Sequence, residues 1–477
     1  MCDRSLLPGS AHHDTNMLPF TTLPRDEVRS PSKPLPLKKR SLLLGFSLAL
    51  ASGLALAAPL QLREALQRAV NEHPSIAASR SQRQAALMQL DGAERQRYPG
   101  LVAQSGRDAT GQRITTLRLQ QALWTGGRIT GEIDAANATI RQSDAALVQS
   151  EQDIMLRVVA AFTELGRVLA RQTAARDNLQ EHERLASMIE RRVASQVSPS
   201  SDSIQANARL SQARAELQQL DAQAFKARAA LAQTTGETVT DIALPKAKPA
   251  AMRGLDDILA AAVVFAPSIR KLTGELEVAN ANIAVRRSAA YPQVTLRLDR
   301  SYGGLAAGSQ VYVSLDYQTG AGFAVQASVR EAEAKKDAIL SQIEAARRET
   351  IDSVSGDWAD FNALNAQLGN LQAQVASTTA VFDSFVRQYA VGRKGWNDVL
   401  NAQREVAQAR YQLADTESGA LRAALRLDLL TGRITSETLD EIPSPPAAPL
   451  SAEPPAPSAP AALSQPLPGP TLARFPS

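Results

Sequence analysis

Residues 361–389 read FNALNAQLGNLQAQVASTTAVFDSFVRQY, and in them Leu364, Leu368, Leu371, Val375, Thr378, Phe382, Phe385 and Tyr389 recur at alternating spacings of four and three. That is the heptad stripe of helices packed side by side, with polar residues filling the positions between. No proline interrupts the chain from Phe323 to Tyr389. At 1.5 Å per residue this predicts a helix about 100 Å long, far beyond an ordinary globular one.

Working outward, the same unit occurs twice. Leu62, His73-Pro74-Ser75-Ile76 and Tyr98-Pro99 return as Leu255, Ala266-Pro267-Ser268-Ile269 and Tyr291-Pro292 at a constant offset of 193 residues. Thr125-Gly126 returns as Thr319-Gly320 at an offset of 194, and Asp202, Ala213-Arg214 and Thr235-Gly236 return as Asp398, Ala409-Arg410 and Thr431-Gly432 at 196. A register kept through proline and glycine punctuation points to duplication. The expected repeats are 58–244 and 255–442, joined by a linker at 245–254 around Pro245–Pro249. In each, a helix starts at Pro74 or Pro267 and stops before Tyr98-Pro99 or Tyr291-Pro292. Strands follow at about 98–123 and 292–319, then long helices at about 128–193 and 323–389. A break at Ser198-Pro199-Ser200 or Gly392-Arg393-Lys394-Gly395 precedes a return helix of about 35 residues. Leading and return helices together reach about 90 Å, so the pair can stack end to end along the long one.

The strands alternate cleanly. Val294, Leu296 and Leu298 face away from Thr295, Arg297 and Asp299; Val311, Val313, Leu315 and Tyr317 face away from Tyr312, Ser314 and Asp316. Leu117, Leu119 and Leu123 against Arg118, Gln120 and Ala122 repeat the pattern more faintly. A soluble hairpin capping the helices would alternate too. Strands of about ten residues with one apolar face also match a membrane barrel, with lipid outside and water within. Four strands per chain cannot close, and open edges do not survive in lipid. Two chains would give eight strands and an interior filled by side chains; three give twelve and room for a water-filled bore, which makes a trimer the expectation.

The ends and the scarce residues bound the function. Lys38-Lys39-Arg40, the apolar run from Leu42 to Leu56 and Ala55-Leu56-Ala57 form a secretory signal pattern, so 1–57 is expected to be a leader, with Met17 as an alternative start. Residues 443–477 are a Pro/Ala/Ser tract that cannot bury a core and is expected to be disordered. The only cysteine is Cys2, and the histidines are His12, His13, His73 and His182, so no zinc site, disulfide or histidine-based triad is legible. Lys and Arg number 52 against 48 Asp and Glu, for a formal charge of +4. That balance is too small and too dispersed for nucleic acid. The expected class is mainly α with a small β part.

The duplicated helix–hairpin–helix plan, Leu123-Trp124-Thr125-Gly126-Gly127-Arg128, Tyr317-Gln318-Thr319-Gly320 and the stretch Tyr389–Gln403 (YAVGRKGWNDVLNAQ) together resemble the TolC family of outer-membrane efflux and secretion ducts. The resemblance covers about residues 60–436. It implies a homotrimer whose twelve-stranded outer-membrane barrel continues into a long α-helical periplasmic tunnel, with no catalysis and no cofactor. It implies partners in a periplasmic adaptor and an inner-membrane transporter. It also implies a gate at the tunnel mouth. There Tyr389 and Lys394 match linking positions, Ser201 and Asp202 match their partners, Asp398 matches a ring carboxylate, and Asn401 stands where other members can have Asp. Lys394 replaces an Arg seen in some members, keeping the charge but losing a bidentate fork. Residues 195–207, SQVSPSSDSIQAN, and the short hairpin connections resemble type I secretion members, with an ABC transporter as partner and protein, such as a large adhesin, as cargo. Efflux of small toxic compounds with a proton-driven pump is the alternative. A periplasmic adaptor or structural coiled coil fits less well, since adaptors carry one helical hairpin inside β-rich domains.

Overall fold

The computed structural model describes residues 59–107, 109, 111–245, 254–303, 307–317 and 324–439. The leader, most of the linker, the Gln318-Thr319-Gly320 part of the second strand-to-helix signature and the proline-rich tail lie outside them.

The chain runs β1 (Leu60–Gln61), α1 (Leu62–Glu72), α2 (Pro74–Arg95), β2 (Gly100–Arg107), β3 (Arg113–Trp124), α3 (Arg128–Ala194) and α4 (Ser200–Thr235). That half closes with β4 (Ile242–Ala243), and the second runs α5 (Leu255–Phe265), α6 (Pro267–Ser288), β5 (Gln293–Tyr302), β6 (Gly308–Asp316), α7 (Ala324–Ala390) and α8 (Trp396–Leu430). Apart from the two-residue strands, the two halves carry the same order of elements. α3 and α7 are each 67 residues long, about 100 Å at helical rise. Ala, Leu, Gln, Arg and Glu dominate them, all strong helix formers.

Local chemistry sets the ends. His73 caps α2, its Nδ1 accepting the Ser75 N–H at 3.2 Å, and Pro74 fills the first helical position. α8 stops where Gly432 takes φ +72° against the Phe265 ring, a conformation and a closeness that exclude a Cβ.

Packing follows the expected end-to-end stacking. The sheet-proximal part of α3 meets α2 through Ala93, Ile129, Ile133 and Ala136, and its far part meets α4 through Ile189 and Ala206. α7 is bordered in the same way by α6 and α8, with Arg287 on Glu333 at 2.7 Å and Arg426 on Asp357 at 2.8 Å. The stripe predicted on α7 lies toward α8: every stripe residue is buried or half-buried among mostly exposed neighbours. α3 also packs along α6 and α8 of the other half. On α6, a Cβ at Gly274 would come within 2.9 Å of the Gln142 backbone, so this helix pair needs a glycine to approach.

α1 and α5 were not foreseen. α1 buries Leu62, Ala65, Leu66, Ala69 and Val70 against Val158, Phe162 and Leu165 of α3 and Leu429 of α8, in the largest apolar cluster. β1 and β4 pair in parallel beside it, Leu60 opposite Ile242.

The four longer strands form one antiparallel sheet in the order β2-β3-β5-β6, with a bulge between Ala122 and Trp124. No helix among the described residues is long and apolar enough to cross a membrane.

Candidate functional site

Two regions carry the chemistry, and they lie at opposite ends of the long helices. At the sheet, side-chain alternation places one row across all four strands: Leu101 opposite Leu119, Leu119 opposite Leu298, Leu298 opposite Val311. These side chains are exposed, most of all at the sheet's edges, where Leu101 is 71% and Val311 68% exposed. The other face is tied by charge. Arg118 grips Asp299 with two bonds of 2.8 and 3.0 Å, Tyr312 donates to the same carboxylate at 2.9 Å, and Arg297 reaches Asp316 at 2.7 Å. Bidentate and charge-assisted pairs of this kind hold their geometry best. An apolar face beside an ion-paired face, with open edges at β2 and β6, suits a surface between lipid and water.

At the far end the two helical bends meet. α3 ends at Ala194 and α4 starts after Pro199; α7 ends at Ala390 and α8 starts after Gly395. Gln196 turns the first bend with φ +58° and Gly392 the second with φ +75°. Beneath them Leu185, Ile189 and Ala206 pack with Phe382, Tyr389, Trp396 and Val399 in a single buried cluster. A polar clasp lies beside it. The Tyr389 and Ser198 hydroxyls are 3.2 Å apart. The Arg192 guanidinium sits 5.0 Å from the centre of the Tyr389 ring and donates to Ser198 Oγ at 3.3 Å and to the Ala390 carbonyl at 3.5 Å. The Trp396 ring lies 5.4 Å from the Tyr389 ring. A cation over a shielded aromatic face is worth about 0.5–2 kcal/mol.

The six expected gate residues all lie at this tip, in contacts made within one protomer. Tyr389 meets Ser198 of its own protomer. Lys394 places its ammonium 4.0 Å from Asp398 and 4.4 Å from the Phe385 ring centre. Asp398, in the first turn of α8, accepts the Gly395 N–H at 3.2 Å, where a carboxylate both caps the helix and favours its positive end. Asn401 accepts from Arg404 at 3.3 Å. Asp202 stands half-buried in the first turn of α4 and finds no side-chain partner among the described residues; Ser201 is exposed. Arg192, Ser198 and Trp396 were missed. Arg192 and Ser198 meet Ala390 and Tyr389 across the two bends, nearly two hundred residues away in sequence, where no local spacing could reveal them, and Trp396 stacks on Tyr389 across its own bend.

Among the described residues no group of His, Cys, Asp and Glu could hold a metal ion.

A chain with two helical hairpins ending in one tip, and a sheet with one apolar and one ion-paired face, is built as a wall segment of a membrane duct. It belongs to the outer membrane efflux protein family, whose sequence model matches residues 65–237 and 259–433. The protein is therefore an outer-membrane channel protein and not an enzyme. It is 23% identical over 408 residues to the outer membrane efflux protein BepC of Brucella suis, covering 82% of this chain and 86% of that one. It is 24% identical over 392 residues to the cobalt-zinc-cadmium resistance protein CzcC of Cupriavidus metallidurans, covering 79% and 91%. The solved structure of the outer membrane protein VceC of Vibrio cholerae superposes with a TM-score of 0.68 at 18% identity, covering 78% of this chain and 96% of that one.

Proposed function

We propose that three copies of this chain, each made of the repeats 58–244 and 255–442 and freed of its leader, close their sheets into a twelve-stranded barrel in the outer membrane. The helical hairpins continue that barrel as a periplasmic tunnel. The observation that carries this reading is the open, two-faced sheet. In lipid, the unpaired edges of β2 and β6 need strand partners, and neighbouring copies supply them. Twelve strands leave a bore that water can fill, lined by the Arg118–Asp299 and Arg297–Asp316 pairs.

The mouth of the tunnel is the tip, and the gate comprises Ser201, Asp202, Tyr389, Lys394, Asp398 and Asn401. Asp202, which has no side-chain partner among the described residues, takes a cation of the neighbouring copy in this reading. Individual links of this kind are weak, about 1.5–3 kcal/mol when shielded and less when exposed. Weak links suit a mouth that a periplasmic adaptor must open. The duct serves as the exit of a type I secretion system driven by an inner-membrane ABC transporter. The stretch 195–207 and the short strand connections support protein as the cargo. Small-molecule efflux with a proton-driven pump is the second reading, favoured by the names of BepC and CzcC.

Planar-bilayer recording of the purified chain tests the duct and its gate together. The expected result is a low-conductance pore whose conductance rises severalfold in the Asp202→Ala/Tyr389→Phe double variant. A stably monomeric protein that leaves bilayers impermeable would overturn the assembly. A pore whose conductance the double variant leaves unchanged would remove these residues from the gate.

A further inference from the structure

Between α4 and α8, and floored by α3, lies a crevice of about 250 Å3 just above the tip; Asn401 is part of its wall. Arg209 enters it from α4 and Arg404 from α8. They stand nine and eight residues from the starts of their helices at Ser200 and Trp396, and therefore at nearly the same height.

The two guanidiniums differ from three arginines nearby. Nearby Arg171, Arg214 and Arg410 each meet a carboxylate, Asp415, Glu183 and Asp177 respectively. Arg209 and Arg404 meet none among the described residues. Arg209 donates to Gln212 Oε1 at 2.9 Å and Arg404 to Asn401 Oδ1 at 3.3 Å, both amide oxygens of their own helices. An amide oxygen orients a guanidinium without neutralising it. The crevice does contain Glu216, but seven residues beyond Arg209 along α4, about 10 Å at helical rise.

A second observation is independent of the arginines. His182, on the crevice floor, is only 7% exposed, and its Nδ1 has no hydrogen-bond partner. Buried polar atoms are seldom left so without a ligand or a water to receive them.

We propose that this crevice binds a small oxyanion, a phosphate or a compact carboxylate, between Arg209 and Arg404, and that the bound anion ties α4 to α8. Planar guanidiniums present paired N–H donors that match such oxygens, and two of them facing one space favour a divalent anion over chloride. α4 and α8 each pack along α3, and the crevice is the gap between them, so the anion supplies a bridge next to the tip. All the residues that line this site belong to one protomer.

Calorimetric titration of the purified full chain in detergent with inorganic phosphate, and separately with citrate, at ionic strength held constant with sodium chloride, tests it. The expected result is saturable binding of one anion per protomer. Arg209→Gln and Arg404→Gln should each weaken it at least tenfold, and Arg209→Lys and Arg404→Lys less. Arg348→Gln, in an exposed pair on α7, should leave it unchanged. Saturation by phosphate or by citrate alone identifies which oxyanion the site takes. The Lys variants keep the charge, and unaltered melting without phosphate shows that the Gln variants are folded. Titrations with neither anion reaching saturation, or saturation unmoved by both Gln variants, would overturn the proposal.

Discussion

α3 and α7 are the same length and occupy corresponding places in their halves, yet they live in different environments. α3 buries 23 of its 67 residues; α7 buries five, Ile339, Val354, Phe361, Phe382 and Tyr389. The return helices show the reverse: α8 buries 18 residues and α4 only seven. The inner pair of the protomer is thus α3 with α8, one helix from each half, and α4 and α7 are its flanks. The two hairpins are nearly equal in length, and packing them against each other makes their members unequal. An apolar stripe on one side of α7 satisfies its own hairpin. Its remaining flank is left open among the described residues.

The strongest way to break this comparison is to charge that flank. Leu340 and Val381 are the large apolar side chains that α7 leaves exposed, at 46% and 42%. The double variant Leu340→Asp/Val381→Asp changes none of the five buried residues of α7. If neighbouring copies cover α7, two carboxylates are driven into an interface without partners, at a cost of several kcal/mol each. Native mass spectrometry in detergent is expected to find monomers, with helical circular dichroism retained. An intact trimer would mean that this flank faces water.

Much of this inequality was hidden in the sequence, and the reason is physical. The lengths of α3 and α7 follow from the absence of proline, and the ends of α2, α4 and α8 from Pro74, Thr235-Gly236 and Thr431-Gly432. The strand faces follow from strict alternation, as the Leu101–Leu119–Leu298–Val311 row bears out. Those are local signals, carried by the chain within a few residues. α1 was overlooked because eleven residues, LREALQRAVNE, hold too few heptads to stand out, although the fold buries one whole side of them. Which long helix is interior depends on contacts between halves, which no periodicity within one helix encodes. At the tip, the six positions expected at a gate rest on resemblance, whereas the Arg192–Tyr389 stack arises from the meeting of two bends.

That stack is where the flank helix is fastened to the inner one, Arg192 near the end of α3 and Tyr389 near the end of α7. Replacing Arg192 by Ala removes the cation over the ring and the bonds to Ser198 and Ala390, worth about 1–2 kcal/mol together. Hydrogen exchange in residues 385–395 is expected to quicken by roughly five- to thirty-fold, the equivalent of that loss. Arg192→Lys should fall between. Exchange unchanged in the Ala variant would leave the apolar cluster alone as the fastening and would weaken the account of the tip as a polar clasp.

The smallest expected effect sharpens the other half of the comparison, the burial of α3. His182 lies inside the packing of α3, α4 and α8, and burial, reinforced by the charge of Arg209, holds its pKa below the ordinary 6.5, while Glu181 works the other way. Arg404, Glu216 and Tyr411 share the crevice it floors. A histidine that resists protonation when folded takes up its proton freely when unfolded. Below about pH 6.5 the unfolded chain therefore binds more protons, and stability falls as pH drops toward the depressed native value. His182→Gln keeps a polar side chain of similar reach and removes the titration. The melting temperature of the wild-type chain should accordingly decline more steeply between pH 7 and pH 5 than that of the variant, and the two curves should run parallel above pH 7. Parallel curves throughout would mean that His182 takes its proton as readily in the folded chain as in water, and that this part of α3 is wetter than its neighbours' packing implies.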